Sequence, residues 1–410
     1  MNKEDITKYS VLLPTYNKVN YLKYTIESVL KNDYKNFELI ISNDFSTDGT
    51  EEYLSTINDK RVKIIKPPVK LTQTKNYEFL LTFASGEWVT ILGDDDGFLP
   101  FLFEKIDKFV DKFKDIKLIH TKPAFYYWED VEDYYGPRVC DYQNFFEKPK
   151  LKNSKKALLM ALAGLNVRSD LPMIYTSGLV RMDLVKEIKK KSGNFFFHSV
   201  IPDYYSMIAL LYETEKYLEI KQPIVWVGTS KKSTGRGTKI YEDKKNQNYE
   251  FINKELEISK NVSEKLHKIG LSTIYFFECI LKHPYISKKW KSNFIKYIVY
   301  ASSKKLFNDL YKKKMHTIKI NISKKEFLNE LNEEIKKNSM SKIYLKITEL
   351  CLSILYSVKF LSQLLIKIKF YLLKRLPNKY NILITQDRQK FKNFLLCNDF
   401  IKKNEKKNLN

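Results

Sequence analysis

Gly86-Glu87-Trp88-Val89-Thr90-Ile91-Leu92-Gly93-Asp94-Asp95-Asp96-Gly97-Phe98-Leu99-Pro100 is an apolar run that delivers three consecutive carboxylates and stops at a proline. Such a run reads as a buried strand ending in a polar edge. Three adjacent carboxylates repel one another, so a fold that presents them together at a strand end calls for a cation or a polar ligand there. Asp94 and Asp95 are the candidates for that work. A plainer reading makes the triplet an acidic turn before a helix over Leu99–Phe113, with Asp96 near its N-terminus. The triplet alone does not choose between them.

Upstream, apolar runs alternate with helical spacing. Tyr9 to Leu13 reads as a strand, Leu22, Ile26, Val29 and Leu30 as a helix face, Phe37 to Ser42 as a strand, and Tyr53, Leu54 and Ile57 as a second helix. A short strand Val62–Ile65 and a helix carrying Tyr77, Leu80, Leu81 and Ala84 lead to the triplet strand. This rhythm predicts right-handed crossovers and a mostly parallel sheet with helices on both faces, in which ligands bind beyond the carboxyl ends of the strands. Three polar strand ends follow: Pro14-Thr15-Tyr16-Asn17, Asn43-Asp44-Phe45-Ser46 and Gly93-Asp94-Asp95-Asp96. Neither Gly-x-Gly-x-x-Gly nor a P-loop is present, so a bound nucleotide needs another device for its phosphates. A Mn²⁺ or Mg²⁺ ion on Asp95 would serve, because such ions bridge one or two carboxylates to diphosphate oxygens.

These strand ends carry a resemblance. Leu13-Pro14-Thr15-Tyr16-Asn17, Ile40-Ile41-Ser42-Asn43-Asp44-Phe45-Ser46-Thr47-Asp48-Gly49-Thr50, Thr72-Gln73-Thr74-Lys75-Asn76, and Ala84-Ser85-Gly86-Glu87-Trp88 with Gly93-Asp94-Asp95-Asp96 stand in the order of the signatures of family 2 glycosyltransferases. The resemblance covers about the first quarter of the chain. It implies the GT-A (Rossmann-like) fold and a nucleotide-binding set of Pro14, Thr15, Tyr16, Asn17, Asp44, Lys75, Asn76 and Asp94, with Asp95 as metal ligand. Asn43 replaces the first of the usual paired aspartates, which leaves uracil mainly to Asp44. Gly93 stands where many members have the first Asp of an Asp-x-Asp motif, so Asp94 falls near the ribose or a metal-bound water. Lys75 replaces a common Arg, keeping the charge for diphosphate and losing the bidentate fork.

Farther on, Asp115 to His120 reads as a strand. The aromatic and acidic loop Phe125 to Tyr135 is readable either as an acceptor platform or as local packing. Met173 to Val180 resembles the family's return to the sheet. An inverting enzyme needs a base for the acceptor hydroxyl; the resemblance points to Asp203, ahead of a helix with Met207, Leu210 and Leu211, with His198 in reserve. An N-cap is the structural alternative for Asp203. Gly228 to Gly237, glycine-rich and basic, suits a lid over diphosphate or a linker. The Gln-x-x-Arg-Trp motif of processive members is missing, which implies addition of one or a few sugars.

The chain has 410 residues, 43% of them hydrophobic, enough for two or three cored domains. Four scattered cysteines show no Cys-x-x-Cys pair and argue against zinc and against a disulfide framework, which fits a cytoplasmic setting. The polar start Met1 to Lys8 leaves no room for a signal-peptide core. The net charge of +24 is lopsided: residues 1–240 carry 36 Lys and Arg against 32 Asp and Glu, and residues 241–410 carry 36 against 16. A boundary near 240 therefore separates a GT-A domain (1–240) from a basic helical region (241–400), with a disordered tail at 401–410. In the basic region, Leu271–Leu281, Phe294–Leu306 and Glu326–Ile335 read as helices, and 342–375 as an amphipathic one. There Lys346, Glu349, Ser353, Lys359, Gln363, Lys367 and Lys374 fall opposite Ile347, Cys351, Ile354, Leu355, Val358, Leu361, Leu365 and Leu372, the pattern of an interfacial or a core helix.

The reading is a metal-dependent, inverting transferase that takes a nucleotide-sugar donor, a UDP-sugar, and a glycan or lipid-linked acceptor in bacterial surface polysaccharide or lipooligosaccharide assembly. It would sit peripherally on the inner face of the cytoplasmic membrane, held by the amphipathic helix. No nucleic-acid-reading motif is present. The competing classes are a non-catalytic scaffold of the same fold and a basic polyanion-binding protein.

Overall fold

The computed structural model describes residues 8–32, 34–100, 102–135, 140–143, 148–165, 170–233, 272–286, 293–312, 323–337, 341–373, 382–385 and 393–407. Strands Tyr9–Thr15 (β1), Phe37–Asn43 (β2), Val62–Ile65 (β3) and Trp88–Ile91 (β4) alternate with helices Val19–Leu30 (α1), Thr50–Ser55 (α2) and Gln73–Leu81 (α3). They lie parallel in the order β3-β2-β1-β4. Successive side chains of a strand point to opposite faces, and both faces are covered here. Leu12 and Ile40 pack with Tyr77, Leu80 and Leu81 of α3, while Val11, Leu13, Leu39 and Ile41 pack with Leu22, Ile26 and Val29 of α1.

From β4 the chain runs through β5 (Gly97–Phe98), α4 (Leu102–Lys112), β6 (Leu118–Thr121), β7 (Ala124–Tyr127), α5 (Glu132–Tyr135), β8 (Cys140–Gln143), β9 (Lys150–Asn153) and α6 (Ser154–Leu162). There follow β10 (Gly178–Arg181), α7 (Met182–Lys191), α8 (Pro202–Glu213), β11 (Lys216–Ile220) and β12 (Val225–Thr229). The large sheet has the order β3-β2-β1-β4-β10-β6-β11-β9, with β10 antiparallel to both its neighbours and β9 antiparallel at the edge. A smaller sheet, β13-β8-β7-β12-β5, takes its outer strand β13 (Ile382–Thr385) from the far end of the chain. The mostly parallel α/β sheet of the GT-A expectation, with a helical C-terminal region after it, is the observed architecture.

The C-terminal helices Ser272–Lys282, Asn293–Lys312 and Lys324–Lys337 match the three sequence predictions to within a few residues, except that the second runs on six residues past its expected end. Phe276, Phe277, Ile280, Val299, Phe307, Phe327 and Leu331 share one core with Tyr205, Met207 and Leu211 of α8. The expected boundary at 240 falls outside the described residues. The expectation of a disordered tail from 401 is corrected as far as Lys407, because a helix spans Phe394–Lys407. Its apolar residues Phe394, Leu395, Cys397 and Ile401 are buried with Tyr126, Trp128 and Trp226, which supplies the burial that ordering requires.

The amphipathic segment forms one helix, Lys342–Leu373. Leu345 and Leu352 face inward, the Tyr356 hydroxyl donates to the Ala163 carbonyl at 2.6 Å, and Glu349 pairs with Lys304 at 2.8 Å. Ile347, Leu350, Ile354, Leu355, Val358 and Leu361 are exposed. Most of the apolar face read from the sequence is thus turned to solvent, and the core contacts come from a narrower seam beside it. Among the described residues, no helix is long and apolar enough to cross a membrane.

Candidate active site

The C-terminal ends of β2, β1 and β4 lie side by side, so their loops meet at one edge of the sheet. Asn17, at the end of the β1 loop, has a left-handed backbone (φ 54°), a conformation Asn tolerates better than most residues. Its N–H donates to Ser46 Oγ at 3.0 Å and its Oδ1 accepts from the Thr47 N–H at 2.6 Å. Asp48 accepts from the Val19 N–H at 3.0 Å, which caps α1. Asn17 therefore latches the β1 loop to the β2 loop. Pro14 closes β1 in register with Ser42, Thr15 is buried, and Lys70 lies over the Tyr16 ring, 3.4 Å from its centroid. Asp44 is buried, donates its N–H to the Thr15 carbonyl at 3.0 Å and accepts the Leu71 N–H on Oδ1 at 3.0 Å. Burial raises its pKa against the opposing effects of that N–H and Lys70.

The three carboxylates of the triplet have separate structural duties. Asp96 accepts the Gly93 N–H at 3.0 Å and the Gly228 N–H at 2.7 Å, which staples the turn to β12. Burial first and Asp95 second push its pKa up to about 7. Asp96 is thus a turn staple rather than a helix cap, and the following helix begins at Leu102. A Cβ on Gly93 would approach Asp96 Oδ2 and the Tyr175 hydroxyl to 2.5 Å each, so a side chain there would have to displace both.

Asp94 and Asp95 share a cation that sequence reasoning missed. Lys18 Nζ is 2.7 Å from Asp94 Oδ1 and 3.7 Å from Asp95 Oδ1, and its side chain is only 12% exposed. Burial alone would lower the lysine pKa, but Asp94 and Asp95 outweigh it and the ammonium stays charged. Burial raises the Asp94 pKa in spite of Lys18, because Asp95 adds its own repulsion. On its other side, Asp95 Oδ2 accepts hydroxyl hydrogen bonds from Ser230, at 2.7 Å, and from Ser233. The sequence held a signal for Lys18 in its place directly after the Asn17 motif. Nothing in the sequence pointed its side chain back across the loop.

Helix α3 brings the next group. Thr72 caps it by accepting from the Lys75 N–H at 3.2 Å; Lys75 is exposed, while Asn76 is buried with its Oδ1 lacking a hydrogen-bond partner among the described residues. A buried orphan acceptor of this kind asks for a ligand donor or a water. Thr74 Oγ1 donates to the Ser199 carbonyl at 2.9 Å, which ties the start of α3 to the loop before α8. Asp203 lies in the first turn of α8, after Pro202, and accepts from the Tyr204 N–H at 3.1 Å. Burial raises the Tyr77 pKa, and the charges of Asp203, Asp94 and Asp96 add to it. His198 contacts the Phe195 carbonyl through Nε2 at 3.1 Å and sits beside Tyr205 and His283, turned to the C-terminal helices.

The aromatic loop resolves in favour of packing. Tyr126, Tyr127 and Trp128 are buried, and Trp128 Nε1 donates to the Asp95 carbonyl at 3.0 Å. After β12 the chain crosses the mouth of the site: the Lys231 N–H donates to Asp130 at 3.0 Å and Lys232 Nζ to the Asn17 carbonyl at 2.5 Å. The rest of the segment read as lid or linker, 234–237, lies outside the described residues.

Comparison with known proteins adds four findings. A family profile described as Glycosyl transferase family 2 matches residues 10–167. The GalNAc(5)-diNAcBac-PP-undecaprenol beta-1,3-glucosyltransferase of Campylobacter jejuni is 37% identical over 95 residues, 22% of this chain and 31% of that protein. Glycosyltransferase GlyA of Streptococcus pneumoniae is 28% identical over 162 residues, 36% of this chain and 23% of that protein. The chain spans less than half the length of the curated relatives it matches. A crystal structure of S. aureus TarS 1-349 in complex with UDP-GlcNAc is similar with a TM-score of 0.46 and 14% identity, over 92% of this chain and 97% of that one.

Proposed function

We propose that the protein, whose residues 10–167 match the profile described as Glycosyl transferase family 2, moves a sugar from a UDP-sugar donor to a hydroxyl of a glycan or lipid-linked acceptor in bacterial surface polysaccharide assembly. The observation that carries this reading is the meeting of three strand-end loops at one edge of the sheet, where Asp44, Asp94 and Asp95 are buried together. Asp44 takes the uracil edge, Asp94 lies toward the ribose, and the Lys75 ammonium faces the diphosphate from the start of α3. Asn76 Oδ1 accepts a donor hydroxyl.

A Mn²⁺ or Mg²⁺ ion fits Asp95, since a carboxylate with the Ser230 and Ser233 hydroxyls beside it is a hard-oxygen donor set. Among the described residues, no group of three or more His, Cys, Asp and Glu is placed to hold a metal unaided, so an ion on Asp95 would need further oxygen ligands from the donor or water. When bound, the ion neutralises charge developing on the leaving diphosphate. Asp203 removes the acceptor hydroxyl proton, and attack on the face opposite the diphosphate inverts the anomeric centre. The exposed apolar face of the helix Lys342–Leu373 rests on the cytoplasmic side of the membrane, within reach of lipid-linked acceptors.

The experiment is a panel of nucleotide sugars incubated with the protein and Mn²⁺, read as slow donor hydrolysis. UDP-sugar hydrolysis that stops in excess chelator is the expected result. Hydrolysis of no donor in the panel overturns the transferase reading in favour of a scaffold, and hydrolysis that ignores the chelator removes the metal.

A further inference from the structure

We propose that the Lys18 ammonium is the resident counter-ion of Asp94 and Asp95, and that a divalent cation reaches Asp95 only by displacing it, which makes metal binding conditional on the donor. The inference rests on the reading of Asp95 as metal ligand in a nucleotide-sugar site.

Lys18 sits at the N-cap position of α1, and the Asn17 latch and the Asp48 cap fix the backbone on either side of it. Its side chain therefore starts from a fixed point and spans to Asp94 Oδ1 at 2.7 Å and Asp95 Oδ1 at 3.7 Å. A metal ion binds a carboxylate oxygen at about 2.0–2.2 Å. Placed on Asp95 Oδ1, it would lie within a few ångströms of the ammonium, itself 3.7 Å from that oxygen, where like charges repel. The alternative oxygen, Oδ2, is already engaged by the hydroxyls of Ser230 and Ser233. One oxygen of Asp95 thus carries two hydroxyl hydrogen bonds, and the other faces the ammonium at 3.7 Å.

Lys18 is shared between two carboxylates, closer to Asp94 than to Asp95, so Asp95 is the less fully paired of the two. Entry of the donor resolves the conflict. A diphosphate gives the freed ammonium a new anionic partner and gives the metal its remaining ligands, so ion and nucleotide bind together. Lys18 is accordingly a positioning residue: it bridges the acidic pair until the substrate arrives.

The test measures Mn²⁺ binding to nucleotide-free protein through the free-ion paramagnetic resonance signal, with thermal unfolding in parallel. Nucleotide-free wild type and Lys18→Arg, which keeps the charge, should bind Mn²⁺ weakly. Lys18→Met should bind it at least about tenfold more tightly, because a competing cation is gone. Its melting temperature should fall without metal and recover with Mn²⁺, whereas wild type should respond little. Equal or weaker Mn²⁺ affinity in Lys18→Met overturns the proposal. If that variant does not fold, wild type decides: UDP should tighten Mn²⁺ binding at least about tenfold, and tight binding unaffected by UDP overturns it. Donor hydrolysis is scored separately, so a failed transferase reading and a failed Lys18 role give different results.

Discussion

Two carboxylates of the site meet opposite demands. Asp95 is buried and accepts from two hydroxyls, which suits a fixed anion that holds a cation, while Asp203 is half-buried at a helix start. A base needs access to the acceptor hydroxyl, and the more open position fits it. Asp203→Asn should keep UDP affinity and lose transfer by about 10²–10⁴-fold, the range that general-base catalysis supplies. Weakened UDP binding in calorimetry with an unchanged rate would make Asp203 a helix cap instead. At this scale the sequence was half legible. Asp44, Asp94 and Asp95 follow apolar strands, so their place at the sheet edge is fixed by the strand that precedes them. Lys18, Ser230 and Ser233 sit in loops, where side-chain direction depends on which distant segment the loop meets. For the two serines that segment is more than 130 residues away in sequence, since Ser230 and Asp95 are 135 apart.

Elements carry a second set of consequences, beginning where α8 meets the helix Ser272–Lys282. His283, just past that helix, is buried and stacked on Tyr205 at 5.3 Å, and its Nδ1 accepts the N–H groups of Tyr285 and Ile286. Burial first, and the neighbouring His198 second, lower its pKa to about 4. The unfolded chain therefore binds a proton near pH 6.5 that the folded chain refuses until about pH 4, so this stability is present above 6.5 and is lost as pH falls through that window. The loss amounts to roughly 3 kcal/mol over the full window. His283→Phe should flatten the melting temperature against pH between 6.5 and 4, and an unchanged profile would assign the acid sensitivity elsewhere. The helix Lys342–Leu373 gives the second expectation. Charging an inward face destabilises a protein, whereas charging an outward one removes only its partner. Ile354→Glu, Val358→Glu and Leu361→Glu together should leave the melting temperature nearly unchanged and abolish sedimentation with anionic liposomes. The amphipathic period was readable from the sequence. Which stripe faced the core was not, because that depends on Leu345, Leu352 and Tyr356 meeting helices far from them along the chain.

Over the whole molecule, the parallel half of the sheet was legible because its strands are short apolar runs with helical patterns between them. The return of the chain end was not, because four residues of β13 and one helix carry little pattern of their own and gain order from β8 and from the aromatic cluster of Tyr126, Trp128 and Trp226. Phe394 is central to that return: it is fully buried, its ring lies 5.6 Å from those of Tyr126 and Trp128, and a Cβ on Gly97 would approach it to 2.5 Å. Phe394→Ala should cost about 3–5 kcal/mol in a urea titration, and a loss below 1 kcal/mol would show that the helix only leans on the sheet. The helix also bonds both ways, with Asn398 accepting from Trp226 Nε1 at 2.8 Å and donating to the Phe98 carbonyl at 2.9 Å. Residues 98 and 398 are 300 positions apart, and contacts that close so long a loop form late in folding. Phe98 lies two residues past the acidic triplet, so a refolding chain should regain its helix and sheet signal first. Its Trp128 and Trp226 fluorescence and its UDP binding should return together in a slower phase, which makes the pocket the last part of the protein to come into being.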